Sequence, residues 1–472
     1  MGKTLFSPSF LHPPSSIPSD DYNASVVNFA PVHPPQRTHI RLNVIPRDQH
    51  AISRKNISES ALKVMSRLRS QGYQAYLVGG AVRDLLLGGH PKDFDIATDA
   101  TPESVNDLFR NSRIIGRRFR IVHVRFGREI IEVTTFRGHH DNATSDKTQH
   151  ENSGNHSRQS ASGLLLRDNV YGTLEEDAVR RDLTVNALYY DAGKFEVFDH
   201  VGGLQDLQDQ SIRIIGDPEQ RFTEDPVRML RVLRFAAKLN FSIDKNTAAA
   251  VPRCGHLLAE IPAARLFDEF LKLFLAGYAA KTLENLLEFD LLRYLFPDTS
   301  ACAQEDRESL TLIRAAMKNT DQRISDAKPV TPAFILAALL WPVVDRERRR
   351  LEKEGDSPMV AMHSASQRAI TDAVQHISIP RRFSQPMREI WEFQLRLQRR
   401  TGRKASELVE HRRFRAAYDF LLLREQAGED TGELGNWWTE FQILSPEQRM
   451  EKVASGRSRP KKPRTRRSNT GG

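Results

Sequence analysis

Lys92-Asp93-Phe94-Asp95-Ile96-Ala97-Thr98 decides how this chain is read. Side chains alternate along a strand, so Asp93 and Asp95 share one face while Phe94 and Ile96 share the other. At a rise of about 3.3 Å per residue the two aspartates lie roughly 6.6 Å apart. Carboxylates that close repel each other unless a cation lies between them. Hard oxygen donors that leave coordination positions open suit Mg²⁺, which keeps waters and takes phosphate oxygens as further ligands. An acidic pair alone also describes a solvated strand face, and the neighbouring segments decide between the two.

Upstream, Leu77-Val78-Gly79-Gly80-Ala81-Val82-Arg83-Asp84 reads as strand, diglycine turn and helix. Such a turn leaves backbone N–H groups free at a helix start and lets a triphosphate approach. Gly79 and Gly80 are candidate phosphate contacts, with Arg83 one turn further on. The segment matches neither GxxxxGK[ST] nor GxGxxG, and a plain tight turn is the alternative. Downstream, Ile130–Phe136 is a second alternating strand, with Glu132 and Thr134 on one face and Ile131 and Val133 on the other. If it lies beside the first strand, Glu132 completes a three-carboxylate cage; the alternative is an edge acid in solvent.

Two later segments carry charge in a pattern that fits a nucleotide. Arg180-Arg181-Asp182-Leu183-Thr184-Val185-Asn186-Ala187-Leu188 brings Arg181, Asp182 and Asn186 to one helix edge, where Asp182 touches a ribose or the metal assembly. A helix cap or a surface ion pair is the other reading of Asp182. In Thr223–Phe235, taken as part of one helix over Thr223–Leu239, Glu224, Arg228 and Arg231 fall within about 60° of one another. Met229, Leu230, Leu233, Ala236 and Ala237 cover the opposite arc. Arginines on one stripe offer forked donors to phosphates or base edges, and Asp225 can accept from a base amino group. Thr223 or Asp225 also suits a helix cap ahead of Pro226.

The rest of the chain frames these segments. Its 472 residues have a formal net charge of +9 and 39% hydrophobic residues, a little low for a fully folded globular chain. Residues 1–50 are rich in Pro, Ser and Asn and read as disordered, with structure beginning near Ile57 behind Ser58 as a helix cap. Residues 139–163 are polar and low in complexity, a flexible insertion. Beyond Asp217 helices dominate: Ala264–Ala276, Lys281–Leu292, Arg307–Lys318, Pro332–Val344, Ser366–His376, Pro386–Arg400 and Phe414–Glu425. The last 17 residues hold seven basic side chains and no acid, leaving +2 for the remainder. Such a tail is a mobile polycation suited to a phosphate backbone. Cys254 and Cys302 are too few for a disulfide scaffold or a Cys-built zinc site. The longest apolar run, Pro332–Val344, falls short of the roughly 20 residues a bilayer needs, and no secretory signal opens the chain. A cytoplasmic, multi-domain protein is expected.

Together the quoted segments resemble the class II nucleotidyltransferases, the family of bacterial poly(A) polymerases and CCA-adding enzymes. GGAVRD at 79–84, KDFDIAT at 92–98, EVTTFRG at 132–138, the RRDLTVNAL run at 180–188 and EDPVRMLRVLRF at 224–235 follow the family's order, and the likeness covers roughly residues 50–445. The run IIGRRFRIVHV at 114–124 is similar to the signature that separates poly(A) polymerases from CCA-adding enzymes. The arginine-rich stretch over 381–415 and the basic tail point the same way.

The resemblance implies an α/β head with a polymerase-beta-like nucleotidyltransferase palm, then all-α neck, body and leg regions between disordered N-terminal and basic C-terminal tails. The expected boundaries are 1–50 for the extension, 51–200 for the head, 201–262 for a nucleotide-binding neck, 263–445 for an RNA-binding body and 446–472 for the tail. It implies that Asp93 and Asp95 hold two Mg²⁺ ions and that Asp182 belongs to the catalytic set. Whether Glu132 or Asp182 is the third carboxylate stays open. Gly79, Gly80, Arg83, Arg181, Asn186, Asp225, Arg228, Arg231 and Arg234 are the expected nucleotide contacts. The implied reaction moves AMP from ATP to the 3′ ends of mRNA and other transcripts and marks them for the RNA-decay machinery. The alternatives are a CCA-adding tRNA nucleotidyltransferase, which takes CTP as well, and a non-catalytic RNA-binding relative.

Overall fold

The alternating segments around Asp95 form the middle of one mixed sheet. The computed structural model describes residues 42–116, 120–138, 158–159, 165–167, 170–401 and 403–455. Its strands are β1 (Asn43–Ile45), β2 (Ala75–Val78), β3 (Asp95–Thr98), β4 (Ser112–Ile115), β5 (Ile121–Phe126), β6 (Glu129–Thr135), a short pair β7 (Arg158–Gln159) and β8 (Leu165–Arg167), β9 (Leu188–Asp191), β10 (Glu196–Asp199) and a second short pair β11 (Ser211–Ile212) and β12 (Ser242–Ile243). Eight of them make a sheet in the order β1-β10-β9-β2-β3-β6-β5-β4, in which only β3 and β6 run parallel.

The two faces of the sheet are covered differently. Leu77, Ile96, Val122, Val124, Ile131 and Val133 enter the main core with α1 (Glu59–Ser70). Ser58 starts that helix by accepting the Ala61 N–H at 3.1 Å, as a cap serine does. On the other face Val78, Ala97, Phe136 and Tyr189 pack with Ala178 of α4 (Leu174–Arg180) in a smaller cluster. Further helices in the head are α2 (Gly80–Leu86), α3 (Pro102–Leu108) and α5 (Gly203–Gln208). After it come α6 (Pro218–Glu224), α7 (Val227–Leu239), α8 (Lys245–Cys254) and α9 (Ala263–Phe274), then a helical body from α10 (Ala279–Glu288) to α20 (Pro446–Ser455). One apolar core runs without a break from Ile45 through the neck to Leu423, so the junction near residue 200 is not a gap in packing.

Several expectations shift. Order begins before Ile57, because Asn43–Ile45 adds antiparallel to β10 as an edge strand too short to carry a readable period. Asp93 precedes β3 rather than lying in it. The helix expected over Thr223–Leu239 is two helices. Pro226 disfavours helical backbone at the residue before it, and Asp225 is extended at φ −154°, ψ 92°. Residues Arg181–Asn186 leave α4 and continue through a single 3-10 turn into β9, since Leu188-Tyr189-Tyr190 is strand-forming. At the far end, helix α20 carries order to Ser455, with Arg449 buried and donating to Glu410 at 2.6 Å. The basic run 456–472, residues 1–41, Arg117–Phe119 of the 114–124 segment and most of the 139–163 insertion lie outside the described residues.

Candidate active site

Strand register brings the acids to the diglycine turn. Asp95 pairs with Val78, the last residue of β2, so Gly79 begins beside it. A Cβ on Gly79 would lie 3.9 Å from Asp95 Oδ2, Arg181 Nη1 and the Asn186 carbonyl. At φ 75°, ψ −136° Gly79 also holds a backbone that favours glycine, and it leads directly into α2. Asp93 is exposed and Asp95 half-buried, while Phe94 and Ile96 are buried on the opposite side of the chain. Asp95 therefore stands close to the turn, and Asp93, two residues before it, is near enough to act on its charge.

Glu132 of β6 is the register partner of Asp95 across the parallel pair β3–β6, and its Oε1 lies 3.1 Å from His123 Nε2. Burial, and then the Glu132 carboxylate, push the Asp95 carboxyl up to about 6, with Asp93 adding to the effect and Arg181 opposing it. Among the described residues the Asp95 carboxylate accepts no hydrogen bond, and no group of three or more His, Cys, Asp and Glu side chains closes into a metal cage. The expected three-carboxylate cage is thus an open set. That openness fits Mg²⁺, which takes its remaining ligands from water and substrate oxygens.

Asp182 sits elsewhere. Its carboxylate receives Arg231 Nε at 2.5 Å and its neighbour's N–H, that of Leu183, at 2.9 Å. Burial alone would raise its proton affinity, but the Arg231 ion pair prevails and holds the carboxyl well below the usual range. The groups acting on Asp95 are Glu132, Arg181 and Asp93, without Asp182. In this structure Asp182 anchors Arg231 on α7.

Among the expected nucleotide contacts, the structure separates engaged groups from those with donors to spare. Arg83 is 1% exposed; it pairs with Asp84 at 2.6 Å, donates to Asn186 Oδ1 at 2.5 Å and lies over the Phe235 ring. Arg83 and Asn186 thus tie α2 to the 184–186 turn. Arg181 is gripped from behind by Asp177 and the Tyr189 hydroxyl, at 3.1 and 2.8 Å from its Nε. Its Nη1 is left facing Gly79. Arg228 donates to Glu224 at 2.8 Å, and Asp225 accepts from Arg265 at 2.7 Å. Arg234 stacks on Phe235 at 4.4 Å, and its buried Nε has no hydrogen-bond partner among the described residues. Burial, together with Arg231 nearby, lowers its proton affinity.

Sequence reasoning missed the supporting partners. Tyr189 was accessible through alternation, since it shares the face of Val78 and Asp95, and Asp177 through its place four residues before Arg181. Arg265 and Arg221, which donates to the carbonyls of Arg180 and Arg181 at 2.6 and 2.5 Å, are long-range contacts with no local signature. The arginine-rich stretch is partly neutralised: Arg396, Arg403 and Arg415 pair with Glu392, Glu407 and Asp419, and Arg412 and Arg413 share Glu389.

Comparison with known proteins adds to this geometry. Family models described as poly A polymerase head domain, probable RNA and SrmB-binding site of polymerase A, and polymerase A arginine-rich C-terminus match residues 75–213, 240–302 and 354–470. Poly(A) polymerase I of Salmonella typhimurium is 50% identical over 86% of this chain and 87% of its own length. That of Haemophilus influenzae is 43% identical over 87% and 90%. A CCA-adding enzyme of Bacillus pumilus is 38% identical but covers 50% of the chain and 54% of its own. The Bacillus stearothermophilus CCA-adding enzyme in complex with CTP superposes with a TM-score of 0.55 at 26% identity, covering 84% of this chain and 82% of that one.

Proposed function

The chain belongs to the bacterial poly(A) polymerase family and is an RNA nucleotidyltransferase, and from that premise we propose how its own residues add adenylate to RNA. In the reaction the RNA 3′ oxygen forms a bond to the α-phosphorus of ATP, the bond from that phosphorus to the pyrophosphate oxygen breaks, and the 3′-hydroxyl proton is released. Asp93 and Asp95 are the reaction-centre carboxylates, with Glu132 beside them. Mg²⁺ ions held there would supply the positive charge that acidifies the 3′-hydroxyl and offsets charge on the leaving pyrophosphate. The observation that carries this reading is Asp95 against the Gly79 turn with Glu132 as its register partner, its carboxyl pushed up by burial and by Glu132.

The chain contributes position and charge rather than a covalent intermediate. Gly79 and Gly80 let the triphosphate approach, and Arg181 Nη1, aimed at the turn, donates to a phosphate oxygen. Arg234 is the donor best placed to be recruited, because its Nε has no hydrogen-bond partner among the described residues. Asp225 and Arg228 read sugar or base, each already fixed by an ion pair. The exposed arginines and the basic tail hold RNA without regard to sequence, and affinity falls as salt rises.

A CCA-adding reading draws on the CTP-bound structural relative. The identity to poly(A) polymerases, higher and over far more of the chain, favours ATP. The test is extension of a labelled generic RNA, with Mg²⁺ and one nucleoside triphosphate at a time. Long ladders with ATP alone are expected, and Asp93→Ala or Asp95→Ala abolishes them while RNA binding persists. A three-nucleotide stop on tRNA supports the CCA reading, and activity retained in either variant refutes the carboxylate assignment.

A further inference from the structure

The sheet carries a polar row that continues past the acids. Asp95 on β3 is the register partner of Glu132 on β6, Glu132 of His123 on β5, and His123 of Arg113 on the edge strand β4. Directly paired residues project to the same face, so these four side chains form one line across the sheet. Triphosphate contacts lie at the β2 and β9 side of Asp95, where Gly79 and Arg181 converge. The row runs the other way, over a face that is open. Arg113 is exposed, Ile130 is 43% exposed and the Glu132 side chain 45%, whereas Val122, Val124, Ile131 and Val133 are buried on the reverse face. Among the described residues no carboxylate pairs with Arg113, so its charge is available at the edge.

We propose that this open face seats the 3′-terminal nucleotides of the RNA, with Arg113 taking a phosphate oxygen of the last phosphodiester. His123 is a positioning residue that holds Glu132, and through it the acidic group, toward the incoming 3′-hydroxyl. A single strand suits the surface, because a cation at the edge and flat aliphatic support from Ile121 and Ile130 serve any base. The inference rests on the proposed carboxylate centre and deepens it by naming where the second substrate lies.

The experiment uses the full chain, a labelled oligoadenylate and ATP. Arg113→Ala is expected to raise KM for RNA five- to tenfold and leave KM for ATP within twofold. Oligoadenylate affinity by fluorescence anisotropy should weaken by a similar factor, with a salt slope shallower by about 0.7, the value of one single-strand phosphate contact. His123→Ala should lower kcat about tenfold with KM for ATP unmoved, and His123→Gln, whose amide reaches the same carboxylate, should restore most of it. Unchanged RNA affinity and KM in Arg113→Ala, a shift in KM for ATP instead, or His123→Gln no better than His123→Ala overturns the proposal. Asp95→Asn measured alongside separates the two levels. If it still extends RNA the carboxylate reading fails, whatever Arg113 does.

Discussion

Replacing Asp95 by Asn should make the protein more stable and inactive at once. The carboxyl is raised from 3.8 to about 6, chiefly by burial and by Glu132. A raised carboxyl favours folding below its unfolded value, and that contribution is lost as the pH climbs through the folded value. Above about pH 6 the native state therefore carries an ionised Asp95 at a cost the unfolded chain does not bear. At about 1.4 kcal/mol per pKa unit the shift corresponds to about 3 kcal/mol, which partial exposure reduces to roughly 1–2 kcal/mol. Asn keeps the shape and removes the charge, and no hydrogen bond to the carboxylate is lost among the described residues.

Thermal unfolding in EDTA at pH 7.5 should show Asp95→Asn melting about 1–2 °C above the parent. The gap should close as the pH falls from 6 toward 4. Added Mg²⁺ should raise the parent, since an ion bound only to the native state stabilises it by mass action, and should move the variant little. Extension of RNA should be lost in the variant throughout. An Asp95→Asn protein that melts below the parent at pH 7.5, or gains as much from Mg²⁺, would refute the claim that repulsion at this site awaits a cation.

Asp182 should behave in the opposite way. Asp182→Ala leaves Arg231, about two-thirds buried, without its main partner; it should lower stability by about 1–3 kcal/mol and raise KM for ATP, with kcat reduced far less than in Asp95→Asn. Because the Asp182 carboxyl is held below the ordinary range, its contribution is present at neutral pH and fades as the pH drops below about 4; a kcat loss equal to that of Asp95→Asn, with stability untouched, would place Asp182 in the catalytic set. Truncation after Ser455 removes the seven basic residues of the tail. Log affinity for single-stranded RNA should then depend less on log salt, by as much as about 5 in slope, while KM for ATP holds; an unchanged slope would show the tail makes no phosphate contact.

The parts of the site legible in the sequence are those governed by local periodicity. Alternation in Phe94–Ile96 and Ile131–Val133 assigns the faces of the acids, and a diglycine after a strand locates the turn. What local pattern cannot carry is partner choice over distance. Asp182 lies 49 positions from Arg231, and Asp225 lies 40 from Arg265. An aspartate read alone is equally a metal ligand or half of an ion pair, and only the docking of α7 against the loop after α4 decides. Arg83 is the same case: its position after the glycines suggests a phosphate contact, but Asn186, 103 positions away, claims its guanidinium. The break at Asp225 was readable, because Pro226 disfavours helical backbone before it, and helical periodicity on both sides concealed it.

Those distant pairs bear on selectivity. An enzyme that adds one base without a template strand has only protein donors and acceptors to compare with the incoming nucleotide. Flexible arginines would adapt to any base, since rotamer freedom lets a long side chain follow its partner. In this neck Glu224 fixes Arg228, Arg265 fixes Asp225 and Asp182 fixes Arg231, while Phe235 is overlaid by Arg83, Arg231 and Arg234. Each pairing removes a degree of freedom before the nucleotide arrives, so if these groups meet the base as proposed, a mismatched edge leaves buried polar groups unsatisfied instead of accommodated. Loss of Arg265 should on this logic loosen discrimination among nucleotides more than it slows transfer.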